Sequence, residues 1–261
     1  MSVLEPGVCV ALDVPTLDEA RAVVRELSPI VPVFKVGLEL FCAEGPRTVD
    51  VVLESGAQVF LDLKVNDIPN TAAAAVREAG KRGASFITIH GFGGREMVRA
   101  AVEASREQGG PQLLVVSALT SFDDAFLAEV GVVGGVRQHA MRIGRMAAEE
   151  GAGGLVLSPR ELDVVRSALP HLLLCTPGVR PAGTGMDDHR RALTPAEAVI
   201  GGADLIVVGR PILKAADRVA AARALIEEVR EAEASREGRR AHEVVSVPIA
   251  EAEEADLMED P

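Results

Sequence analysis

The sequence has no tryptophan and no tyrosine, and seven phenylalanines complete its Phe/Trp/Tyr class. Recognition of a planar ring must then draw on phenylalanine, aliphatic and polar side chains. Cysteine is scarce: Cys9, Cys42 and Cys175 are odd in number and far apart. This excludes a disulfide frame or a zinc knuckle and predicts small buried thiols in a reducing compartment. No two histidines or cysteines have metal-ligand spacing, so no metal is expected. No apolar run approaches the ~20 residues that cross a bilayer, and the start Met1–Gly7 has no basic segment ahead of an apolar one. The expected location is therefore cytoplasmic, with no membrane partner. A basic stripe is also missing, and the net charge is −12. A nucleic-acid partner is excluded, although a local cationic pocket for a small anion is not.

The acidity is uneven. From Arg230 to Pro261 there are ten Asp/Glu against four Arg, so this end carries half of the net charge. It lacks a sustained apolar period and reads as a frayed helix end followed by a disordered acidic extension. The expected organisation is one catalytic domain, 1–230, and a tail, 231–261.

What is present is a regular alternation. Short β-branched runs occur at 8–13, 33–37, 58–64, 85–90, 112–117, 154–158, 172–176 and 204–210, with amphipathic stretches such as Leu17–Leu27, Thr71–Arg82, Arg95–Glu107 and Gln138–Glu150 between them. Alternating β and α units imply a parallel sheet, and eight of them in about 220 residues match a single (β/α)8 TIM barrel, class α/β. A doubly wound open sheet is the runner-up, but no Gly-x-Gly-x-x-Gly turn follows the first run.

Period-2 phasing then says which side chains point where. Val59, Leu61 and Leu63 face the helices, leaving Phe60, Asp62 and Lys64 inside. The same phase turns Asp13, Lys35 and His90 inward, each near the carboxyl end of its strand, where barrel enzymes build their sites. Lys35, Asp62, Lys64 and Asp67 bring two ammonium groups and two carboxylates together, an alternation that stays ionised where an isolated charge would not. A lysine flanked by two carboxylates stays protonated, which disfavours a Schiff-base nucleophile and favours a cation that stabilises a carbanion and delivers a proton. The plain alternative is a salt-bridge network that only plugs the barrel.

Two further segments argue for a ligand. The last strand ends Val-Val-Gly209-Arg210-Pro, where glycine permits close approach and arginine can fork onto phosphate. The loop after strand seven, 176–191, is long, rich in Gly and Pro, and carries Arg180. Barrels often bind phosphate at the loops after strands seven and eight, and a loop this long is commonly a lid.

These residues together resemble the orotidine 5′-phosphate decarboxylase family. LDLKVNDIPNT (61–71) is similar to its Asp-x-Lys-x-x-Asp-Ile-Pro-Asn-Thr signature. The likeness also runs through ALDVPT (11–16), FKVGLELF (34–41), TIHGFGG (88–94), SALTS (117–121), TPGVRPAG (176–183) and VVGRPI (207–212). The resemblance implies decarboxylation of orotidine 5′-monophosphate to UMP and CO2, the last step of de novo UMP synthesis, with no cofactor. By position it puts Asp13 and Lys35 on the ribose hydroxyls, Asp62 beside the scissile carboxylate, and Lys64 as proton donor to C6. Ser117 and Thr120 fall near the pyrimidine edge, and Arg180, Gly209 and Arg210 on the phosphate. Asp67 and Thr71 reach the neighbouring subunit's site, so a homodimer with shared active sites is implied.

The sequence departs from the pattern at Asn66, where the family has histidine, and at His189, where the family's glutamine grips the phosphate. His189 can make the same contact, with a dependence on pH. His90 reads as a packing or supporting residue rather than an acid–base catalyst. The alternatives are a related sugar-phosphate decarboxylase or synthase, which would call for Mg2+, and a catalytically dead nucleotide-binding barrel.

Overall fold

The computed structural model describes residues 7–180 and 193–245, with side chains as far as Glu237. Eight strands run parallel: β1 (Gly7–Ala11), β2 (Val33–Gly37), β3 (Gln58–Val65), β4 (Phe86–His90), β5 (Gln112–Val116), β6 (Gly154–Val156), β7 (Leu173–Pro177) and β8 (Leu205–Val208). Each pairs with the next, and β8 returns to β1, closing the expected barrel and ruling out the open sheet.

Alternation along the strands makes two cores. Outward residues such as Val8, Val10, Phe34, Val36, Ile87 and Ile89 pack under the helices. Inward residues, among them Cys9, Phe60, Phe86, Leu114 and Cys175, fill the barrel. Phe60 and Phe86 meet edge to face with centroids 6.0 Å apart. The expected phase thus holds in β1, β2 and β4.

It holds in β3 too, where Phe60, Asp62 and Lys64 line the barrel cavity while Val59, Leu61 and Leu63 pack toward the helices. What changes late in β3 is its register with β4. Leu61 pairs with Ile87 and Val65 with Ile89, so four steps on β3 face two on β4. Within this bulge Lys64 takes φ 48°, the one non-glycine residue in the left-handed region among those described. Bulges re-aim side chains, and this one lies at the barrel mouth.

The helices follow local rules. Leu17–Leu27 opens on Thr16, whose hydroxyl accepts from the Glu19 backbone N–H, and buries Ala20, Val23, Val24 and Leu27 at helical spacing. Full burial of a side chain such as Leu27 contributes ~1.5–3 kcal/mol. The expected Thr71–Arg82 helix begins earlier, as Pro69–Lys81, because proline suits a first helical turn.

Two expectations about the periphery change. Cys42 is exposed, whereas Cys9 and Cys175 are buried as expected. It lies on the helix Leu38–Glu44, which turns Leu40 to the core instead. The last helix runs Arg218–Val245, so position 230 falls inside it. Its buried stripe of Ala222, Leu225, Val229 and Ala232 continues past that point. One turn on, Arg236 donates to the carbonyls of Val199 (3.1 Å) and Ala203 (3.0 Å) and lies 3.8 Å from Asp204. Among the described residues no helix is long and apolar enough to cross a membrane.

Candidate active site

A cavity of about 410 Å3 opens at the carboxyl ends of the strands. Pairing of Ala11 with Lys35 and of Gly37 with Asp62 brings β1, β2 and β3 level there. Their charged side chains form one row. Lys35 Nζ lies 3.4 Å from Asp13 Oδ1 and 3.5 Å from Asp62 Oδ2. Lys64 Nζ donates to both Asp62 oxygens, at 2.8 and 2.9 Å. The order is therefore Asp13, Lys35, Asp62, Lys64, with signs alternating.

Burial decides how strongly these charges need one another. The Lys35 and Asp62 side chains are each only 12% exposed. Burial by itself would push the Lys35 pKa down, but the carboxylates of Asp62 and Asp13 overturn this and hold it above its ordinary value. Burial would likewise push Asp62 up. The charges of Lys35 and Lys64, with hydrogen bonds from Lys64 and Thr88, hold it below the usual carboxylate value. Lys35 and Asp62 are thus ionised across the neutral range. Cys175, in the cavity wall, is held well above its ordinary value by burial and stays an unreactive thiol.

Segments that follow β5, β7 and β8 complete the wall. Thr120, Arg180, Gly209 and Arg210 line it. A Cβ on Gly209 would come within 3.1 Å of Asp13 Oδ2, a tight contact that glycine avoids. His189 lies outside the described residues.

Three expected site residues sit elsewhere within the single chain. Asp67 is exposed, and its carboxylate accepts from the Ile68 backbone N–H at 2.7 Å. It does not flank Lys64, so the second carboxylate expected beside that lysine is absent from the row. Thr71 is exposed on the helix Pro69–Lys81. Ser117 is buried, and its hydroxyl donates to the Val156 carbonyl at 3.1 Å, so it is not part of the cavity wall. Ser121, four residues on in the same SALTS run, does line it.

His90 Nδ1 accepts from the Phe92 backbone N–H at 3.3 Å. Burial, then nearby His139, then Lys64 lower its pKa. His139 is itself buried and stacks on Phe92, with centroids 4.6 Å apart. Among the described residues no group of three His, Cys, Asp or Glu is placed to hold a metal.

The family profile that matches residues 6–225 is described as orotidine 5′-phosphate decarboxylase / HUMPS family. The chain belongs to that family. Orotidine 5′-phosphate decarboxylase of Anaeromyxobacter sp. (strain K) is 50% identical over 219 residues, 84% of this chain and 96% of that protein. The enzyme of that name from Moorella thermoacetica is 45% identical, over 85% of this chain and 91% of its own. The crystal structure of orotidine 5′-phosphate decarboxylase from Lactobacillus acidophilus superposes with a TM-score of 0.75 at 32% identity, covering 86% of this chain and 99% of that one. The match to the orotidine 5′-phosphate decarboxylase / HUMPS family spans every residue of the charged row, together with Thr120, Arg180, Gly209 and Arg210, and ends at residue 225, before Arg236.

Sequence reasoning missed one contributor beside the row. Thr88 is fully buried on β4, and its hydroxyl touches both Asp62 and Lys64. The period-2 phase already turned it inward, two residues before His90. Its partners depend on the β3 bulge, which alternation does not reveal.

Proposed function

We propose that this protein decarboxylates orotidine 5′-monophosphate to UMP and CO2, the last step of de novo UMP synthesis, without metal or organic cofactor. The observation that carries the proposal is the Asp13–Lys35–Asp62–Lys64 row sharing one cavity with Arg180, Gly209 and Arg210. A monoanionic or dianionic phosphate suits those last three residues, and a ribose with its hydroxyls suits the carboxylate–ammonium pair of Asp13 and Lys35. The reacting carbon then lies over Lys64.

Breaking the bond from C6 to the carboxylate carbon releases CO2 and leaves the electron pair on C6. That vinyl carbanion has no good electron sink, so nearly all its stabilisation must be electrostatic. A fixed ammonium strengthens most as charge appears on C6, which raises turnover rather than ground-state binding. Lys64 then gives a proton to C6 and regains one from water. Asp62 lies beside the departing carboxylate and keeps the Lys64 ammonium aimed at the carbon.

Asp67 and Thr71 complete the neighbouring subunit's site in a homodimer. Their exposure, with Ile68 between them 67% exposed, supports this reading. His189, which lies outside the described residues, contacts the phosphate, and the enzyme works in the cytoplasm. The family also spans HUMPS members, so a sugar phosphate is the second reading. The Ile-Pro-Asn-Thr run at 68–71 and the names of the relatives favour the first.

The test is to follow orotate absorbance with purified protein and orotidine 5′-monophosphate, with and without a chelator. With no Trp or Tyr the protein adds almost no background. Turnover unaffected by the chelator is expected. Binding of UMP without turnover, or chelator-sensitive turnover of a hexulose phosphate alone, would refute the proposal.

A further inference from the structure

β3 should hold Lys64 and Asp62 loosely. The bulge removes regular pairing with β4 between Leu61 and Val65. Lys64 sits in a backbone region that disfavours a side chain. Yet Lys64 Nζ reaches both oxygens of Asp62 at bonding distance. Something outside β3 must fix this arrangement.

One atom bridges the two residues. Thr88 Oγ1 accepts from the Lys64 backbone N–H at 2.8 Å and donates to Asp62 Oδ1 at 2.9 Å. A hydroxyl has one proton, so accepting from Lys64 leaves that proton free to aim at Asp62. Thr88 is fully buried on the neighbouring strand, and a β-branched side chain has few rotamers there. The same hydroxyl is among the causes that hold Asp62 ionised.

We infer that Thr88 is a positioning residue for the reaction: its hydroxyl clamps the β3 bulge so that the Lys64 ammonium and the Asp62 carboxylate stay in their working geometry. It touches no substrate atom and acts through these two residues. The inference rests on the decarboxylase reading for its kinetic consequence, but not for its structural one.

Thr88→Val keeps shape and removes both hydrogen bonds, whereas Thr88→Ser keeps the hydroxyl. We expect Thr88→Val to lower kcat by roughly ten- to hundredfold, the range for losing a buried bond to a charged group. KM should change less than threefold or so, because the phosphate wall is untouched, and Thr88→Ser should restore most of kcat.

A second readout needs no substrate: backbone amide exchange at Lys64. The wild-type amide should be protected, Thr88→Ser should keep that protection, and Thr88→Val should lose it while the β-strand amides elsewhere stay protected. Should Thr88→Val not fold, wild type and Thr88→Ser still decide. The inference is overturned if the wild-type Lys64 amide exchanges as freely as an open loop, or if Thr88→Ser loses its protection. It is also overturned if Thr88→Val keeps both protection and kcat while Lys64→Ala is inactive. Wild type inactive on orotidine 5′-monophosphate but protected at Lys64 refutes the decarboxylase reading and leaves the clamp standing.

Discussion

Removing the central charge of the row, by Asp62→Asn, tests whether the four groups depend on one another. In wild type, Asp62 lies 3.5 Å from the Lys35 ammonium and 2.8 Å from that of Lys64. The amide has nearly the same shape but leaves two ammonium groups sharing a pocket with no charge between them. Removing one partner of a buried pair costs ~3–5 kcal/mol, because the other charge is left uncompensated. Asp62 and Lys35 are buried enough for that range to apply, while half-exposed Asp13 can replace only part of the loss. We therefore expect a cost of about 3 kcal/mol at pH 7, or a fall in Tm of roughly 6–12 °C for a barrel of this size.

The pH dependence has a definite sign. The folded pKa of Asp62 is depressed. Its contribution is therefore full above the unfolded value of about 3.9 and is lost as pH falls through the lower folded value. The folded pKa of Lys35 is raised. Its contribution is full below the unfolded value of about 10.4 and is lost as pH rises through the folded one. Between these limits the stability gap between wild type and Asp62→Asn should be constant. It should narrow as pH falls below about 4, and again at the alkaline end as Lys35 loses its proton. Guanidinium melts at a series of pH values measure it. A variant as stable as wild type at pH 7, or a gap unchanged at pH 3, would refute the mutual dependence.

If Asp67 completes the partner's site, inactive Lys64→Ala and Asp67→Ala dimers should regain activity when mixed, through hybrid sites, and no recovery after proven subunit exchange would mean self-contained sites. Arg236→Ala should lower stability by roughly 1–3 kcal/mol, because the Val199 and Ala203 carbonyls lose donors. Chemical denaturation checks this, and deletion of 246–261 should leave turnover unchanged.

Much of this was legible in the sequence because it depends on local period. Alternation in VCVALD and VFKVG placed Asp13 and Lys35 inside from their own neighbours alone, and the barrel's closure followed from eight repeats of one unit. The failures share a different cause. Lys64 lies inside as expected, but the Thr88 hydroxyl that holds its backbone is 24 positions away on another strand, and a constant period cannot foresee a slipped register. Ser117 and Ser121 are chemically alike in sequence, and only the turn of the chain after β5 sends one to a carbonyl and the other to the cavity. That the last helix still packs past position 230 was hard to read because alanine and the stem of arginine carry little apolar signal.

The central claim is that one lysine, held in this row, stabilises charge on C6 and protonates it. The most direct measurement is single-substrate turnover of orotidine 5′-monophosphate by wild type, Lys64→Ala and Lys64→Arg, each shown to be folded. We expect wild type to release UMP and CO2, and Lys64→Ala to be slower by many orders of magnitude. Lys64→Arg should not rescue it, since a planar, strongly basic fork cannot deliver the proton at the same point. Appreciable turnover by Lys64→Ala would contradict the claim.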